Sequence, residues 1–130
     1  MIRFSEFERL GAAVAAFSEM SDGDCGFKGA QDPSSIVEGR RRLCHSCGVN
    51  EMRLVCARQV HGGNIAWVTK NDAGRGAAAW DTGLDATDGL LTREQDLPLG
   101  ILVADCVPLD RKSTRLNSSH IQKSRMPSSA

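Results

Sequence analysis

The spacing of apolar residues predicts one long helix. Residues 32–48 begin with Asp-Pro-Ser-Ser and end in glycine, a pattern typical of helix start and stop residues. Apolar side chains recur within this segment at partial helical spacing, namely Ile36, Val37, Leu43 and Cys47. Pro33 fits the first helical position, and Gly48 fits the position after the last turn. Gly39, inside the segment, weakens the prediction.

The N-terminal segment has a weaker pattern. Ser5 and Glu8 form a capping-box signature, which predicts a brief helix. Residues 12–20 either continue that helix or form a strand, because their apolar residues fit both patterns. The stretch SDGDCG, residues 21–26, is a strong turn signal that separates this region from the long helix.

Short apolar runs in the second half of the chain predict strands. Residues 52–60 alternate between apolar and polar positions, residues 64–68 form another run, and together they look like two strands around a glycine turn. Residues 70–86 have the composition of a loop. Residues 87–92 and 99–106 are further strands, and the apolar character of the last one predicts a central place in a sheet. Helix and strands alternate without a repeat, which predicts a mixed α/β fold.

The overall neutrality of the chain conceals a mildly acidic body. The 130 residues include 16 Lys and Arg and 16 Asp and Glu. Residues 110–130 hold five of the basic residues and one acidic residue, which leaves 11 basic and 15 acidic residues before them. The net charge of residues 1–109 is therefore −4. This charge gives no basic field for nucleic acid, so we expect no nucleic-acid partner, and no motif predicts a protein partner.

Residues 110–130 differ in composition from the rest of the chain. They are rich in serine, contain few apolar residues and show no periodicity, which is typical of disorder. The stretch DRKSTRLNSSH, residues 110–120, also resembles the in-frame translation of a common sequencing adapter. We therefore predict that residues 1–109 are the N-terminal part of a single domain and that an adapter-derived segment follows them.

Cysteine usage and hydropathy predict a cytoplasmic protein. No apolar run approaches the length of a membrane span, and the N-terminal stretch MIRFSEFERLG lacks the apolar core of a secretory signal. The five cysteines are an odd number. Reduced thiols in a cytoplasm fit these observations better than a disulfide framework does, and we expect no membrane partner.

Two predicted strand ends carry residues with candidate chemistry. His61 follows a strand and precedes two glycines, which let a ligand approach the backbone closely. Asp105 and Cys106 lie near the end of the most apolar strand, where α/β proteins build their sites. A thiolate there is a soft metal ligand or a nucleophile, although His61 and Cys106 also fit structural roles. Cys44 and Cys47 have zinc-knuckle spacing, but without a second such pair we interpret them as core-facing thiols.

Three ordered motifs resemble the laccase-like multicopper polyphenol oxidase family, which is also described as purine nucleoside phosphorylases and peptidoglycan editing factors. The motifs are Gln-x-His-Gly at 59–62, Asp-Gly-Leu-Leu-Thr at 88–92 and Ala-Asp-Cys-x-Pro at 104–108. Residues 17–27 and 37–43 are similar to the family's Phe-Ser-x-Arg-x-Asp-Gly and Glu-Asn-Arg segments. The resemblance covers residues 3–109 and implies layered mixed sheets with flanking helices, incomplete at the C-terminus.

The resemblance implies a zinc site. In the family, the ligands are the His of the first motif, the Cys of the third and a second His in a later His-x-Gly-Trp-Arg-Gly motif. These roles carry over to His61 and Cys106, whereas the third ligand has no counterpart. His120 lies in the adapter-like segment without Gly-Trp-Arg-Gly after it. Asp105 and Gln59 are candidates for substrate contacts or for polar support of the ligands.

The resemblance also implies an activity on nucleosides. Phosphate would cleave the N-glycosidic bond of adenosine or inosine, with adenosine deamination as a related activity and zinc as the cofactor. The laccase description would instead require copper, which a Cys and His site also binds. Met20 and Gly39 stand where the family often has Arg and Asn, and Met20 cannot make the bidentate contact of an arginine.

Two other functional hypotheses remain from the residues alone. Cys106 and His61 could form the nucleophile and base of a metal-independent cysteine hydrolase. Alternatively, residues 1–109 could be an inactive piece, because the third ligand is missing and an uncovered apolar strand invites aggregation. The sequence predicts weak metal binding and little phosphorolysis for the chain as written.

Overall fold

The computed structural model describes residues 1–5, 9 and 14–104. Most of the helix predicted from Ser5 and Glu8 lies outside this part of the chain. Asp105 and Cys106 also lie outside it, as does the whole adapter-like segment with His120. The fold below is that of the described residues.

The long helix, α1, spans Pro33–Cys47 and confirms the prediction from sequence. The Asp32 carboxylate caps its start by accepting the Ser34 N–H at 3.0 Å. Gly48 ends it in the left-handed conformation, with φ of 70°, and its N–H donates to the Cys44 and His45 carbonyls. The local cap residues therefore determine both ends of α1.

In residues 1–5, 9 and 14–104, six strands of two or three residues each form three separate pairs. They are β1 (Ile2–Arg3), β2 (Ala16–Phe17), β3 (Val55–Cys56), β4 (Ile65–Trp67), β5 (Gly89–Leu91) and β6 (Leu99–Gly100). Strands β1 and β2 pair antiparallel, whereas β3 with β6 and β4 with β5 pair parallel. Short 3₁₀ turns lie at Met20–Asp22, Glu51–Arg53 and Lys70–Asp72. The mixed α/β class is confirmed.

The structure confirms a strand on each side of the glycine turn but not the full length of the last predicted strand. Strands β3 and β4 flank the turn, and each takes a later strand as its partner, β3 pairing with β6 and β4 with β5. Of the strand predicted at 99–106, the described part ends at residue 104, and within it only Leu99–Gly100 form a strand. Ile101 and Val103 follow it with 46% and 40% of their surface exposed. An apolar run thus does not by itself fix a central strand, since burial depends on what packs over it.

The core lies between the two parallel pairs. Val55, Val68 and Leu97 are its buried centre, and Leu84 and Leu90 are among the partly buried residues around it. Burial of such side chains contributes roughly 1.5–3 kcal/mol each. The core therefore fixes the relative position of the strands that lead into and out of the His61 turn.

The segment predicted as a loop supplies backbone partners to β3. The Cys56 N–H donates to the Arg75 carbonyl at 2.8 Å, and the Leu84 N–H donates to the Cys56 carbonyl at 3.2 Å. Gly76 lies so close to β3 that a Cβ there would be 2.6 Å from the Cys56 oxygen. Its φ of 71° also favours glycine. The loop is thus packed against the strand and is part of the scaffold.

Arg40 ties α1 to two loops. Its side chain is buried, with 4% exposure. Its Nε donates to the Cys25 carbonyl at 2.7 Å, and its Nη1 donates to the carbonyls of Gly76 and Ala77 at 2.5 and 3.0 Å. The guanidinium carbon is 4.5 Å from the centroid of the Phe27 ring. Several acceptors and an aromatic face thus compensate the buried charge.

Gly39 allows the loop at Asp24 to approach α1. A Cβ at this position would lie 2.8 Å from the Asp24 carbonyl oxygen. The residue that weakens the helix pattern is therefore required by this packing. Among the described residues, no helix is long and apolar enough to cross a bilayer.

Candidate functional site

His61 lies in the turn between β3 and β4 with an unusual backbone conformation. Its φ is 58°, in the left-handed region that residues with a side chain rarely adopt. The residue is exposed. Within the described part of the chain, its backbone N–H is hydrogen-bonded, whereas its imidazole makes no hydrogen bond. The ring nitrogens are thus available to a ligand.

The carboxylate of Asp88 holds this turn. Its Oδ1 accepts the N–H groups of Val60 and His61 at 3.0 and 2.8 Å, and its Oδ2 accepts the Gly62 N–H at 2.9 Å. Three successive backbone donors therefore converge on one carboxylate. Because these donors face an anion, the bonds are of the stronger, charge-assisted kind.

These bonds are strong enough to hold the strained conformation of His61. The left-handed region costs a residue with a side chain roughly 1–2 kcal/mol. A hydrogen bond to a charged group contributes about 1.5–3 kcal/mol. Even at the lower end of that range, the bonds to Asp88 exceed the cost of the His61 conformation. The bonds to Asp88 therefore offset the cost of the His61 conformation.

A shallow groove lies beside the His61 turn. Residues from the turn and from the start of β4 and β5 line it, namely Gly62, Gly63, Asn64, Ile65, Asp88 and Gly89. The Asn64 Nδ2 donates to the Ala86 carbonyl at 3.2 Å and to the Thr87 Oγ1 at 3.3 Å. These bonds hold Asn64 against the residues just before Asp88. The glycines of the lining leave the groove open to a ligand.

Gln59 joins the His61 turn to the segment after β6. Its Nε2 donates to the Leu102 carbonyl at 3.0 Å, and its Oε1 accepts the Leu102 N–H at 2.8 Å. Both polar atoms of the side chain are thus paired with backbone groups. This arrangement matches the role of polar support more closely than the substrate contact that the sequence also allowed.

The structure brings together only part of the predicted site. His61 and Gln59 share one turn, whereas Asp105 and Cys106 lie beyond the described residues. Within residues 1–5, 9 and 14–104, no three His, Cys, Asp or Glu side chains form a group that could hold a metal ion.

The remaining candidates lie on other elements of the chain. Met20 is fully exposed on a 3₁₀ turn. Cys44 is buried on α1 and Cys47 is half-buried, and both thiols are free. Burial raises the pKa of Cys44 to about 11 and also raises the pKa of Cys47. Neutral thiols of this kind are poor metal ligands and nucleophiles near neutral pH, which fits a packing role.

A protein-family model matches residues 6–118 of the chain and is described as "Multi-copper polyphenol oxidoreductase laccase". The chain belongs to this family. The match includes the three motifs at 59–62, 88–92 and 104–108, and it extends into the first part of the adapter-like segment.

Relatives of this chain carry the name purine nucleoside phosphorylase. The chain is 42% identical over 78 residues to "Purine nucleoside phosphorylase YlmD" of Geobacillus stearothermophilus, covering 60% of the chain and 28% of the relative. It is 36% identical over 76 residues to the Bacillus subtilis protein of the same name, with 58% and 27% coverage. The similarity thus reaches proteins that are named as enzymes.

Solved structures of the family share the fold. The crystal structure of YlmD from Geobacillus stearothermophilus matches with a TM-score of 0.62 and 38% identity, over 64% of this chain and 31% of that one. A Bacillus licheniformis structure titled "hypothetical protein YfiH" gives the same TM-score at 31% identity, with the same coverage. The chain therefore spans less than a third of the length of these relatives. The activity of a full-length relative therefore does not carry over directly to this chain.

Sequence reasoning missed Asp88 as a residue of the site. The motif Asp-Gly-Leu-Leu-Thr that begins at Asp88 was the signal, since it contains one carboxylate directly before a glycine and an apolar run. Nothing local indicated its partners, because the backbone donors lie 26–28 residues earlier in the chain.

Proposed function

We propose that the protein to which this chain belongs cleaves the N-glycosidic bond of purine nucleosides with phosphate, using a metal ion bound by His61 and Cys106. Family membership and the names of the relatives support this reaction class. Adenosine and inosine are the proposed substrates. The free thiols of the described cysteines fit a reducing compartment, and we place the protein in the cytoplasm.

The conformation of His61 is the observation that carries the proposal. A residue held in a rarely populated backbone region by a dedicated carboxylate is characteristic of a functional site. The imidazole is exposed beside a groove with a glycine-rich rim. A histidine that served only for packing would instead be buried and hydrogen-bonded through its ring.

The contact between Gln59 and Leu102 supports the second ligand. Gln59 is two residues from His61, and its side chain is bonded to both backbone groups of Leu102. Cys106 follows Leu102 by four residues, and four residues of extended chain span at most about 14 Å. The tie therefore keeps the start of the Ala-Asp-Cys segment next to the His61 turn.

The donor set fits zinc. An imidazole nitrogen and a thiolate are typical zinc ligands, and the same pair also binds copper. When bound, zinc would supply Lewis-acid chemistry without redox chemistry, which suits transfer to phosphate. In phosphorolysis, a phosphate oxygen forms a bond to ribose C1′ while the bond from C1′ to the purine nitrogen breaks, which leaves ribose 1-phosphate and the free base. We propose that Asp105 contacts the nucleoside or the departing base.

Phosphorolysis assays test this function directly. The chain is incubated with inosine or adenosine and phosphate, and ribose 1-phosphate is measured, together with ammonia from adenosine. We expect little turnover from the 130 residues as written, because the third family ligand has no counterpart. Independent sequencing of the source locus beyond the codon for Leu109 should reveal a His-x-Gly-Trp-Arg-Gly motif. We expect the extended protein, which includes this motif, to show clear turnover.

Metal removal separates the alternatives. Turnover of the extended protein should stop with a chelator, return with zinc and be lost in His61→Ala and Cys106→Ala. Activity that survives chelation but is blocked by a thiol reagent would instead show a cysteine hydrolase. Tight stoichiometric zinc with clear turnover in the chain as written would contradict the view that its site is incomplete.

A further inference from the structure

The N–H groups of Val60, His61 and Gly62 form a concave backbone site around the Asp88 carboxylate. Successive backbone donors of this type bind anions. Here the anion is the side chain of Asp88, the residue directly before β5. In the described part of the chain, Asp88 forms no ion pair with Lys or Arg. Its carboxylate is thus committed to the turn.

The backbone of Asp88 is itself anchored to the far end of the same turn. Its N–H donates to the Asn64 carbonyl at 2.9 Å, and the Gly89 N–H donates to the same oxygen at 3.1 Å. Strand β5 then continues alongside β4, with Gly89 opposite Ile65. The parallel pair therefore fixes the position of Asp88, and Asp88 in turn fixes the backbone around His61.

We infer that Asp88 is a positioning residue, which holds His61 in the left-handed conformation and so sets the direction of its imidazole. The consequence for metal binding rests on the proposed function, because that function makes His61 a ligand. The backbone part of the inference does not depend on it. Nothing in the geometry requires Asp88 to touch substrate or metal.

Asp88→Asn is the sharpest substitution. Asparagine keeps the shape of the side chain, but it offers one acceptor oxygen and one amino group in place of two acceptor oxygens. Either orientation places the amino group against at least one of the N–H donors of Val60, His61 and Gly62. We therefore expect the turn to lose its fixed conformation while β4 and β5 remain paired.

Asp72→Asn is the matched control. The Asp72 carboxylate also accepts a backbone N–H, that of Thr69 at 2.9 Å, and it also closes a short turn. The Lys70–Asp72 turn lies outside the set of residues that line the groove. Its substitution should cost stability in a similar way without an effect on His61.

Two measurements test the two parts of the inference, the backbone conformation of His61 and its effect on metal binding. NMR of the full chain reports the backbone conformation of His61 and the hydrogen exchange of the amides at 60–62. Titration with Co²⁺, as a spectroscopic probe for zinc, reports metal affinity. In Asp88→Asn we expect shifted His61 backbone signals, faster amide exchange at 60–62 and Co²⁺ affinity lower by roughly tenfold or more. Asp72→Asn should change none of the three.

The outcomes distinguish the inference from the proposed function. Unchanged His61 backbone signals in folded Asp88→Asn would overturn the inference, and so would shifted signals with unchanged Co²⁺ affinity. If the unsubstituted chain binds no Co²⁺ while Asp88→Asn still shifts His61, the positioning role stands and the proposed metal site fails.

A second variant covers the case in which Asp88→Asn does not fold. In Gly62→Ala, the new Cβ would lie 3.2 Å from the Asp88 Oδ2 and so press on the carboxylate from the donor side. We expect smaller changes in the same direction at His61. A folded Gly62→Ala protein with unchanged His61 signals and unchanged Co²⁺ affinity would contradict the inference.

Discussion

The side chain of Gln59 forms two hydrogen bonds to the backbone of Leu102, as one strand does to its neighbour. Its Nε2 lies 3.0 Å from the Leu102 oxygen, and its Oε1 lies 2.8 Å from the Leu102 nitrogen. The contact lies beyond the ends of the paired strands β3 and β6. It thereby joins the motif that contains His61 to the segment that leads to Cys106.

Gln59→Ala should loosen this connection. It removes two hydrogen bonds, each contributing about 0.5–1.5 kcal/mol, so we expect the free energy of unfolding to fall by roughly 1–3 kcal/mol. Urea unfolding measures the loss. Gln59→Glu should recover only part of it, because a carboxylate accepts the Leu102 N–H but cannot donate to the carbonyl. Equal stability of Gln59→Ala and the unsubstituted chain would show that the contact contributes nothing.

Arg40 should be one of the least replaceable polar residues of the described part. Arg40→Lys keeps the charge but loses the fork that reaches the carbonyls of Cys25, Gly76 and Ala77 at once. We expect a loss of about 2–4 kcal/mol in the free energy of unfolding. The matched control is Arg41→Lys. In the described part of the chain Arg41 forms its ion pair with exposed Glu38, so the substitution should hardly change the unfolding midpoint. Similar unfolding midpoints for Arg40→Lys and Arg41→Lys would contradict a stabilising role for the hydrogen bonds of Arg40.

Gly39→Asn introduces the residue that the family often has, yet it should destabilise this chain. Asparagine forms helix better than glycine by up to a few tenths of a kcal/mol. Its Cβ would lie 2.8 Å from the Asp24 carbonyl, and relief of such a clash costs about 1–3 kcal/mol. Thermal unfolding of Gly39→Asn and Gly39→Ala measures the balance. A higher melting temperature in either variant would show that the Asp24 loop moves away freely.

Stability should decline in alkaline solution because of Cys44. Burial raises the pKa of its thiol from 9.0 to about 11. The folded state thus favours the neutral thiol, so this contribution is complete below pH 9 and is lost as the pH rises toward 11. Unfolding free energies measured across this range should fall less steeply in Cys44→Ala. An identical slope in both proteins would mean that Cys44 ionises equally well in the folded and unfolded states.

Helix α1 could be predicted from the sequence because its signals are local. Asp32, Pro33 and Gly48 determine where it starts and stops, and each acts within a few residues. The pairing of the strands could not be predicted in this way. The alternation at 52–60 indicates that a strand forms, but its choice of β6 over β4 depends on the core around Val55.

The candidate site shows the same division between local and long-range information. His61 could be found from its neighbouring glycines and its family motif. Its left-handed conformation and its support by Asp88 could not, because they join residues 27 positions apart in the sequence. Gln59 was predicted to have a polar role, but its partner Leu102 is 43 residues away. Cys106 and Asp105 remain predictions from the motif.

A cobalt titration of the chain tests most directly whether His61 and Cys106 share one metal ion. We predict weak binding with an absorption band from thiolate to Co²⁺. Cys106→Ser should abolish this band, and His61→Ala should weaken the binding at least roughly tenfold. Cys47→Ser, which removes a thiol on α1, should leave the titration unchanged. A band that survives in Cys106→Ser, or an affinity that His61→Ala does not change, would contradict a shared site.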